Sequence, residues 1–447
     1  MKKVLLYTLV LLLAVGCTSR SKTSADLSGL TADLNPESRE MLDLLLRYLA
    51  VESGSMAIEG VDFPMTDGQM EMARILKSDI ESLGIPAVLS EWGYVYAEIP
   101  SNIEEEVPVF GISCHLDYTP EAPGRGIKPI VITYNGGDIL LPDGSVISPS
   151  SADGVELPEL IGKTIIHSDG TTLLGADDKN GCTISMSVMK TILKSGVKHG
   201  KIQFVFCPNE DIGMAAEKID PAIFNPDVLF DVDGEGGCEI AASNFTARDM
   251  EVKFFGNGVH ASDAKQKKLA NSVAAKAAYI AYFPLQYLPE RTEGLEGYIH
   301  HWKEEKEGDY NYTVFTRIRY FDQAEGKLFK KMINDALEKT RAEFPEVQIT
   351  VIKDVTVYDN VEYSMYPGSR QIIDRAAARC GQTIKYKDER GGTTAAMFTA
   401  KGLKGGMCIY SGQHNFHTPH EYACLEEMLD AYKLLLHAID EVANEKR

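Results

Sequence analysis

Apolar residues recur at helical spacing over 36–52, where Met41, Leu44, Leu45, Tyr48 and Leu49 share one side. The period predicts a first helix there. A second is predicted over 66–83, stopped by Gly84 and Pro86, and a third over 179–194. Short β-rich runs at 94–99, 107–113, 202–207 and 228–232 read as strands. Strands alternating with helices predict an α/β core built on a mainly parallel, helix-flanked sheet. The stretch 117–177 breaks the rhythm. It is rich in Gly, Pro and Asp, includes Tyr134-Asn135-Gly136-Gly137-Asp138, and is too long for a plain connection, so it is expected to hold β-hairpins of its own.

From about residue 244 the pattern changes. A strand over 248–255, a helix over 269–283, a strand over 312–320, a helix over 327–344 and a strand over 347–352 make a compact β-α-β-α-β set. After about 360 the α/β character returns and ends in a helix over 425–442. The main domain is therefore expected to be discontinuous, formed by 36–243 and 358–447, with a smaller α+β domain inserted at 244–357.

The N-terminus carries a different pattern. Lys2 and Lys3 precede an apolar run over 4–15, then come Gly16, Cys17 and a polar stretch. Such a run is too short to span a bilayer and fits the apolar region of an export signal. The ending Leu13-Ala14-Val15-Gly16-Cys17 resembles a bacterial lipoprotein signal, in which the cysteine is acylated and becomes the mature N-terminus. On this reading 1–17 is the signal, 18–35 a linker, and Cys17 the lipid anchor of an exported protein held at a bacterial membrane.

Composition adds exclusions. The chain has 447 residues, enough for two or three domains, and a net charge of −20. That balance argues against nucleic acid as a partner, because phosphate binding needs clustered Lys and Arg. Apart from Cys17, seven cysteines remain, with no CxxC pair, so neither a disulfide framework nor a structural zinc site is expected.

Five short segments carry candidate chemistry, mostly at predicted strand ends: His115-Leu116-Asp117, Asp177-Asp178, Glu210-Asp211, Asp231-Val232-Asp233, and the run from Gly412 to Glu421 with His417. Each alone is ordinary. A His-x-Asp is commonly surface, and adjacent acids at a helix start are commonly caps. Together they form a His, Asp and Glu set without thiolate, which suits zinc, cobalt or manganese.

The order and local sequence of these segments resemble the peptidase T family of tripeptide aminopeptidases, within the carboxypeptidase G and aminoacylase clan. The likeness spans nearly the whole mature chain. It rests on Thr66-Asp67-Gly68-Gln69, His115-Leu116-Asp117, Gly136-Gly137-Asp138-Ile139, the segment 173–179, the segment 256–260, Arg390-Gly391-Gly392-Thr393 and the segment 417–421. The resemblance implies two divalent metal ions, zinc foremost with cobalt or manganese as alternatives. His115 and Asp233 would bind one, Asp211 and His417 the other, and Asp177 would bridge them. Asp117 would orient His115, and Glu210 would serve as general base and acid. The inserted domain would act as a lid, with His260 and Arg319 contacting a short peptide substrate; because the family histidine often comes from a partner subunit, the resemblance also implies a homodimer through the lid.

The sequence departs from the family at several points. Asp211 stands where relatives usually have Glu, Thr394 where they have Asp, and Ala261-Ser262 follow His260 in place of Pro-Gly. Family members are also typically cytoplasmic. The same site would serve a dipeptidase, a carboxypeptidase or an N-acyl amino acid hydrolase, and the departures leave a non-catalytic peptide-binding lipoprotein as a further reading.

Overall fold

The computed structural model describes residues 34–445; the expected signal, Cys17 and nearly all of the linker lie outside them. The chain opens with helices α1 (Pro36–Leu49) and α2 (Asp67–Ser82) and strands β1 (Ala87–Leu89), β2 (Val95–Ile99) and β3 (Phe110–His115). Asn35 and Thr66 cap the two helices through their side chains, which accept the backbone N–H of Ser38 and Gln69. The long excursion carries β4 (Ile130–Thr133), β5 (Ile139–Leu140), β6 (Val146–Ile147) and β7 (Thr164–His167). Next come α3 (Ala176–Ser195), β8 (Ile202–Cys207), β9 (Val228–Gly234) and β10 (Glu239–Asn244).

The insert contains β11 (Thr246–Phe255), α4 (Ser272–Ala281), β12 (Tyr298–Glu307), β13 (Asn311–Tyr320), α5 (Gln323–Glu343) and β14 (Gln348–Tyr358). The chain then returns through α6 (Ser369–Cys380), β15 (Lys385–Glu389), α7 (Thr394–Thr399), β16 (Gly406–Tyr410), β17 (Gln413–His414), β18 (Tyr422–Cys424) and α8 (Leu425–Val442).

The main sheet has eight strands in the order β1-β2-β8-β3-β9-β16-β10-β15. Its centre, β8-β3-β9-β16, is parallel, while β2 and β10 join it antiparallel. Every residue of β3 and β8 is buried, as expected for strands covered on both faces. Alternation along β8 makes this explicit. Ile202, Phe204 and Phe206 join a core shared with α1, α3 and α8, while Val205 and Cys207 join one containing Ala395 and Phe398 of α7.

The excursion does hold a hairpin, β5 with β6. Its other strands do something the sequence did not indicate. Strands β4 and β7 form a sheet with β17 and β18 in the order β17-β18-β7-β4, so the excursion buttresses the C-terminal loop that carries His417.

The insert forms a separate antiparallel sheet, β12-β13-β11-β14, with α4 and α5 on one face. It has four strands where three were expected. In β12 only Ile299 is buried, so its sequence carries no period-2 signal. The two crossings between the parts lie side by side: Val361 N–H donates to the Asn244 side chain at 2.9 Å, and Asn244 N–H to that of Asn360 at 3.4 Å. Among the described residues no helix is long and apolar enough to cross a membrane.

Candidate metal centre

In a parallel sheet, functional groups collect beyond the carboxyl ends of the strands. His115 is the last residue of β3, Glu210-Asp211 follow β8, and Asp233 lies at the end of β9. Asp177 lies in the first turn of α3, and His417 in the loop between β17 and β18. Five segments separated by up to three hundred residues thus meet in one place.

The contacts centre on Asp177. Its Oδ1 lies 2.9 Å from His115 Nε2, and its Oδ2 lies 3.3 Å from His417 Nε2. His115 Nε2 is also 3.4 Å from Asp233 Oδ1, and His417 Nε2 is 2.7 Å from Asp211 Oδ1. One carboxylate therefore faces two separate His–Asp pairs with its two oxygens. Three groups of potential ligand atoms, each compact within 4.8 Å, lie among the described residues: Asp177, Asp211 and His417; His115, Asp178 and Asp233; and His115, Asp117 and Asp211. Asp178 in the second group was not expected as a ligand. Its oxygens accept the backbone N–H of His115 at 3.0 Å and of Gly181 at 2.9 Å, and it is fully buried. It is joined to Asp177 by a cis peptide bond.

Other residues hold the five segments in register. Asp117 accepts the backbone N–H of Glu210 at 3.1 Å and of Asp211 at 3.3 Å, and its Oδ1 is 3.5 Å from His115 Nδ1. It thus fixes the backbone of the acidic pair, while His115 Nδ1, at that separation, is buried without a hydrogen-bond partner among the described residues. Gln69 and Asn209 exchange two buried hydrogen bonds, of 2.9 and 3.0 Å, which fix the turn before Glu210. Asn209 and His417 hold φ of 57° and 64°, a region non-glycine residues adopt at a cost of about 1–3 kcal/mol and mostly where function demands it.

The donor set fits divalent cations. Two imidazole nitrogens and at least three carboxylates converge without a thiolate. Ligand atoms about 2.0–2.1 Å from a zinc ion sit roughly 3.3 Å apart on a tetrahedral edge, close to several separations above. Asp211 Oδ2 is buried without a hydrogen-bond partner among the described residues, an orphaned acceptor. Charge tells the same story. Burial, and then the Asp177 charge, pushes Asp211 up to about 7; burial also raises Asp233 and Glu210. Burial alone would lower His417, yet Asp177 and Asp211 hold it up at about 11. Protons are retained because too many carboxylates share too little water, and cations would take their place.

A cavity of about 190 Å³ opens beside the cluster, lined by Asp177, Glu210, Asp233 and His417 from the site and by further groups from β15 and β17. His260 and Arg319 are not among its lining residues. His260 is exposed and bonded to Ser262, and Arg319 Nη1 is engaged by Asp249 at 3.1 Å and by backbone carbonyls of its own sheet.

Two further groups, Glu421 and His414, lie in the run from Gly412 to Glu421 that the sequence marks, but with no role of their own there. Glu421 is buried, and its carboxylate accepts three backbone N–H groups, of Leu174, Gly175 and Asp177, at 2.7, 2.8 and 3.0 Å. Burial pushes it up to about 7 against those bonds. It sets the turn that presents Asp177. Glu421→Gln puts an amide where an N–H needs an acceptor, and is expected to weaken metal binding ~10- to 100-fold, as loss of an outer-shell partner does. Competition with a chelator of known affinity measures this, and unchanged affinity would remove Glu421 from the account.

The second is His414, buried between Glu156 of the excursion and Glu427 of α8, with Nε2 2.8 Å from the latter, and stacked on Tyr422. Burial alone would lower its pKa; the two carboxylates outweigh it and hold the imidazole at about 9. Since the folded value exceeds the unfolded one near 6.5, this contribution is fully present below pH 6.5 and is lost as pH rises through 9. We expect about 3 kcal/mol of unfolding free energy to disappear across that window. Denaturant titrations at the two ends should show the loss in the wild type and a flatter profile in His414→Ala.

Residues 174–441 match the sequence pattern of peptidase family M20/M25/M40. Peptidase T of Clostridium perfringens is 33% identical over 408 residues, which cover 90% of this chain and 98% of that one. Peptidase T of Salmonella arizonae is 32% identical over 416 residues, covering 91% and 100%. Among solved structures, aminopeptidase PepT of Bacillus cereus superposes with a TM-score of 0.69 at 20% identity over 91% of this chain and 99% of its own. A dinuclear metal-binding M20 peptidase of Bacillus subtilis gives 0.61 at 14% identity over 91% and 98%. These structures share the fold.

Proposed function

The chain belongs to peptidase family M20/M25/M40, and we propose that within it this protein is a two-metal aminopeptidase that releases N-terminal residues from short peptides, tripeptides foremost. It is a metal-dependent peptidase of short peptides; its relatives named peptidase T support the finer assignment. The observation that carries the reading is Asp177, whose two oxygens face His115–Asp233 on one side and His417–Asp211 on the other.

His115, Asp233 and Asp177 would hold one cation, and Asp211, His417 and Asp177 the other. Bound there, a cation pair polarises the scissile carbonyl and lowers the pKa of a shared water. Glu210, in the cavity wall, takes the proton of the attacking water and delivers it to the leaving amine. Asp117 keeps Glu210 on station by binding its backbone N–H. The cavity is smaller than the ~300–1,000 Å³ of drug-sized pockets, which suits the end of a short peptide.

Residues 36–243 and 358–447 form the catalytic domain in this reading, and 244–357 a lid that carries His260 and Arg319 toward the substrate when it closes and pairs with a second copy. The paired crossings at Asn244 and Asn360 support such a division. Lys2, Lys3, the apolar run 4–15 and Gly16-Cys17 support export and lipid attachment at Cys17. Radiolabelled fatty acid should enter the wild type and not Cys17→Ser; equal labelling would refute the anchor.

The activity is tested with di-, tri- and tetrapeptides, N-acetylated tripeptides and N-acyl amino acids, using protein loaded with zinc, cobalt or manganese. Preferential cleavage of free-amine tripeptides is expected. Cleavage confined to blocked or acylated compounds would overturn the aminopeptidase assignment, and no turnover of any compound would favour a peptide-binding protein.

A further inference from the structure

Beyond the residues that hold cations, one wall of the cavity is built from Glu235, Lys387, Glu389 and Gln413. Glu235 lies two residues past Asp233 at the end of β9, Lys387 and Glu389 share one face of the edge strand β15, and Gln413 begins β17. Residues so far apart in sequence meet here only because the fold brings them together.

The charges on this wall do not balance. Lys387 Nζ lies 2.8 Å from Glu389 Oε1 but 3.6 Å from Glu235 Oε2, beyond hydrogen-bond distance. One ammonium thus serves two carboxylates, and the Glu235 carboxylate, 38% exposed, faces the cavity and solvent without a hydrogen-bonded partner among the described residues. Gln413 adds an independent observation. Its amide nitrogen donates to the backbone oxygen of Asp233 at 2.9 Å and to Asp233 Oδ1 at 3.3 Å. Those acceptors fix the orientation of the amide, since a flip would set oxygen against oxygen. Gln413 Oε1 is then buried with no partner among the described residues, on a residue only 2% exposed. A buried acceptor without a donor is costly and calls for one.

A group that satisfies both features must carry positive charge and N–H donors and no acceptor. An ammonium does; a carboxylate would meet two acids and an orphaned acceptor. Position narrows the choice. The α-nitrogen of a peptide is only two bonds from the first carbonyl carbon, so it must bind within a few ångströms of the metal ligands. Gln413 is itself hydrogen-bonded to one of them, Asp233.

We propose that Glu235 and Gln413, with Glu389 and Lys387 behind them, form the subsite that receives the substrate's ammonium group, the free α-amino group of the residue to be released. This rests on the aminopeptidase reading and gives it a structural cause. The charged amino end is selected by an unbalanced carboxylate and an orphaned amide oxygen, so a blocked N-terminus finds no compensation there.

The test uses zinc-loaded protein and two readouts. Calorimetry on the Glu210→Ala background measures binding of Ala-Ala-Ala, acetyl-Ala-Ala-Ala and acetyl-Lys-Ala-Ala, with and without Glu235→Gln. Kinetics on the otherwise wild-type chain compares Ala-Ala-Ala hydrolysis in Glu235→Gln and Glu235→Asp. Loss of a charge-assisted contact is expected to weaken Ala-Ala-Ala binding and to lower its kcat/KM by ~10- to 100-fold. The acetyl-Ala-Ala-Ala affinity should stay within about twofold, and Glu235→Asp should recover much of the activity. Weakening of acetyl-Lys-Ala-Ala alone would move the ammonium from the α-amino group to a basic side chain and overturn the α-amino assignment. Equal weakening of all three peptides, or of none, would overturn the subsite itself. If the wild type hydrolyses no tripeptide, the aminopeptidase reading fails; if it does and Glu235→Gln discriminates as before, only the subsite fails.

Discussion

Asp177→Ala is expected to empty both metal positions together and to lower turnover of a tripeptide by ~10⁴-fold or more, since both cations would act on the same water and carbonyl. Other carboxylates in the cluster face one histidine; Asp177 faces both, at 2.9 and 3.3 Å. A residue at the edge of the site would cost one ion and leave a partly active enzyme. The bridging position instead predicts a loss of stoichiometry from two per chain toward none. The fold should survive, because Glu421 still receives the backbone N–H of residue 177 and α3 keeps its packing on the sheet. Elemental analysis after gel filtration, with a thermal melt of the metal-free proteins, tests this. A variant that retains two tightly bound ions would show that Asp177 is not the bridge.

Glu210→Ala is expected to separate chemistry from metal binding. General acid–base transfer contributes about 10²–10⁴-fold to such reactions, so kcat should fall by that factor while both ions remain. The separation follows from placement. Glu210 lines the cavity but belongs to none of the three compact groups of ligand atoms among the described residues. Its neighbour Asp211 binds toward His417, and Asp117 holds the backbone of both. If the variant lost a metal ion, Glu210 would be acting as a ligand; if it kept full activity, the proton would be moving by another route.

What the sequence made legible follows a simple physical rule. His115, Asp177, Glu210, Asp211 and Asp233 each sit where an apolar strand ends or a helix begins, so a short local pattern exposes them. The α/β alternation and the shift to another pattern near residue 244 were visible for the same reason. Roles defined only by distant partners were not visible, even where the residue lay in a marked run. Glu421 meets the start of α3 about 245 residues away, as the separations of 247, 246 and 244 show. His414 reaches Glu156 across 258 positions. Strands β12 and β15 were missed because most of their residues are partly or fully exposed and many are charged, which erases the hydrophobic period. His260 and Arg319 were singled out by resemblance alone, and neither is among the residues that line the cavity. Glu235 and Gln413 illustrate the converse. Gln413 lies in the run from Gly412 to Glu421 and Glu235 two residues past Asp233, yet no local pattern gives either a role; an orphaned oxygen beside a carboxylate does.

The most direct test of a two-metal peptidase is a reconstitution curve. Chelator-treated protein is titrated with zinc, and in parallel with manganese, while hydrolysis of a free-amine tripeptide is followed. Negligible activity is expected without metal, with a rise that reaches its plateau at two equivalents per chain. Full activity in the chelated protein, or a plateau at one equivalent with no further ion bound, would contradict it.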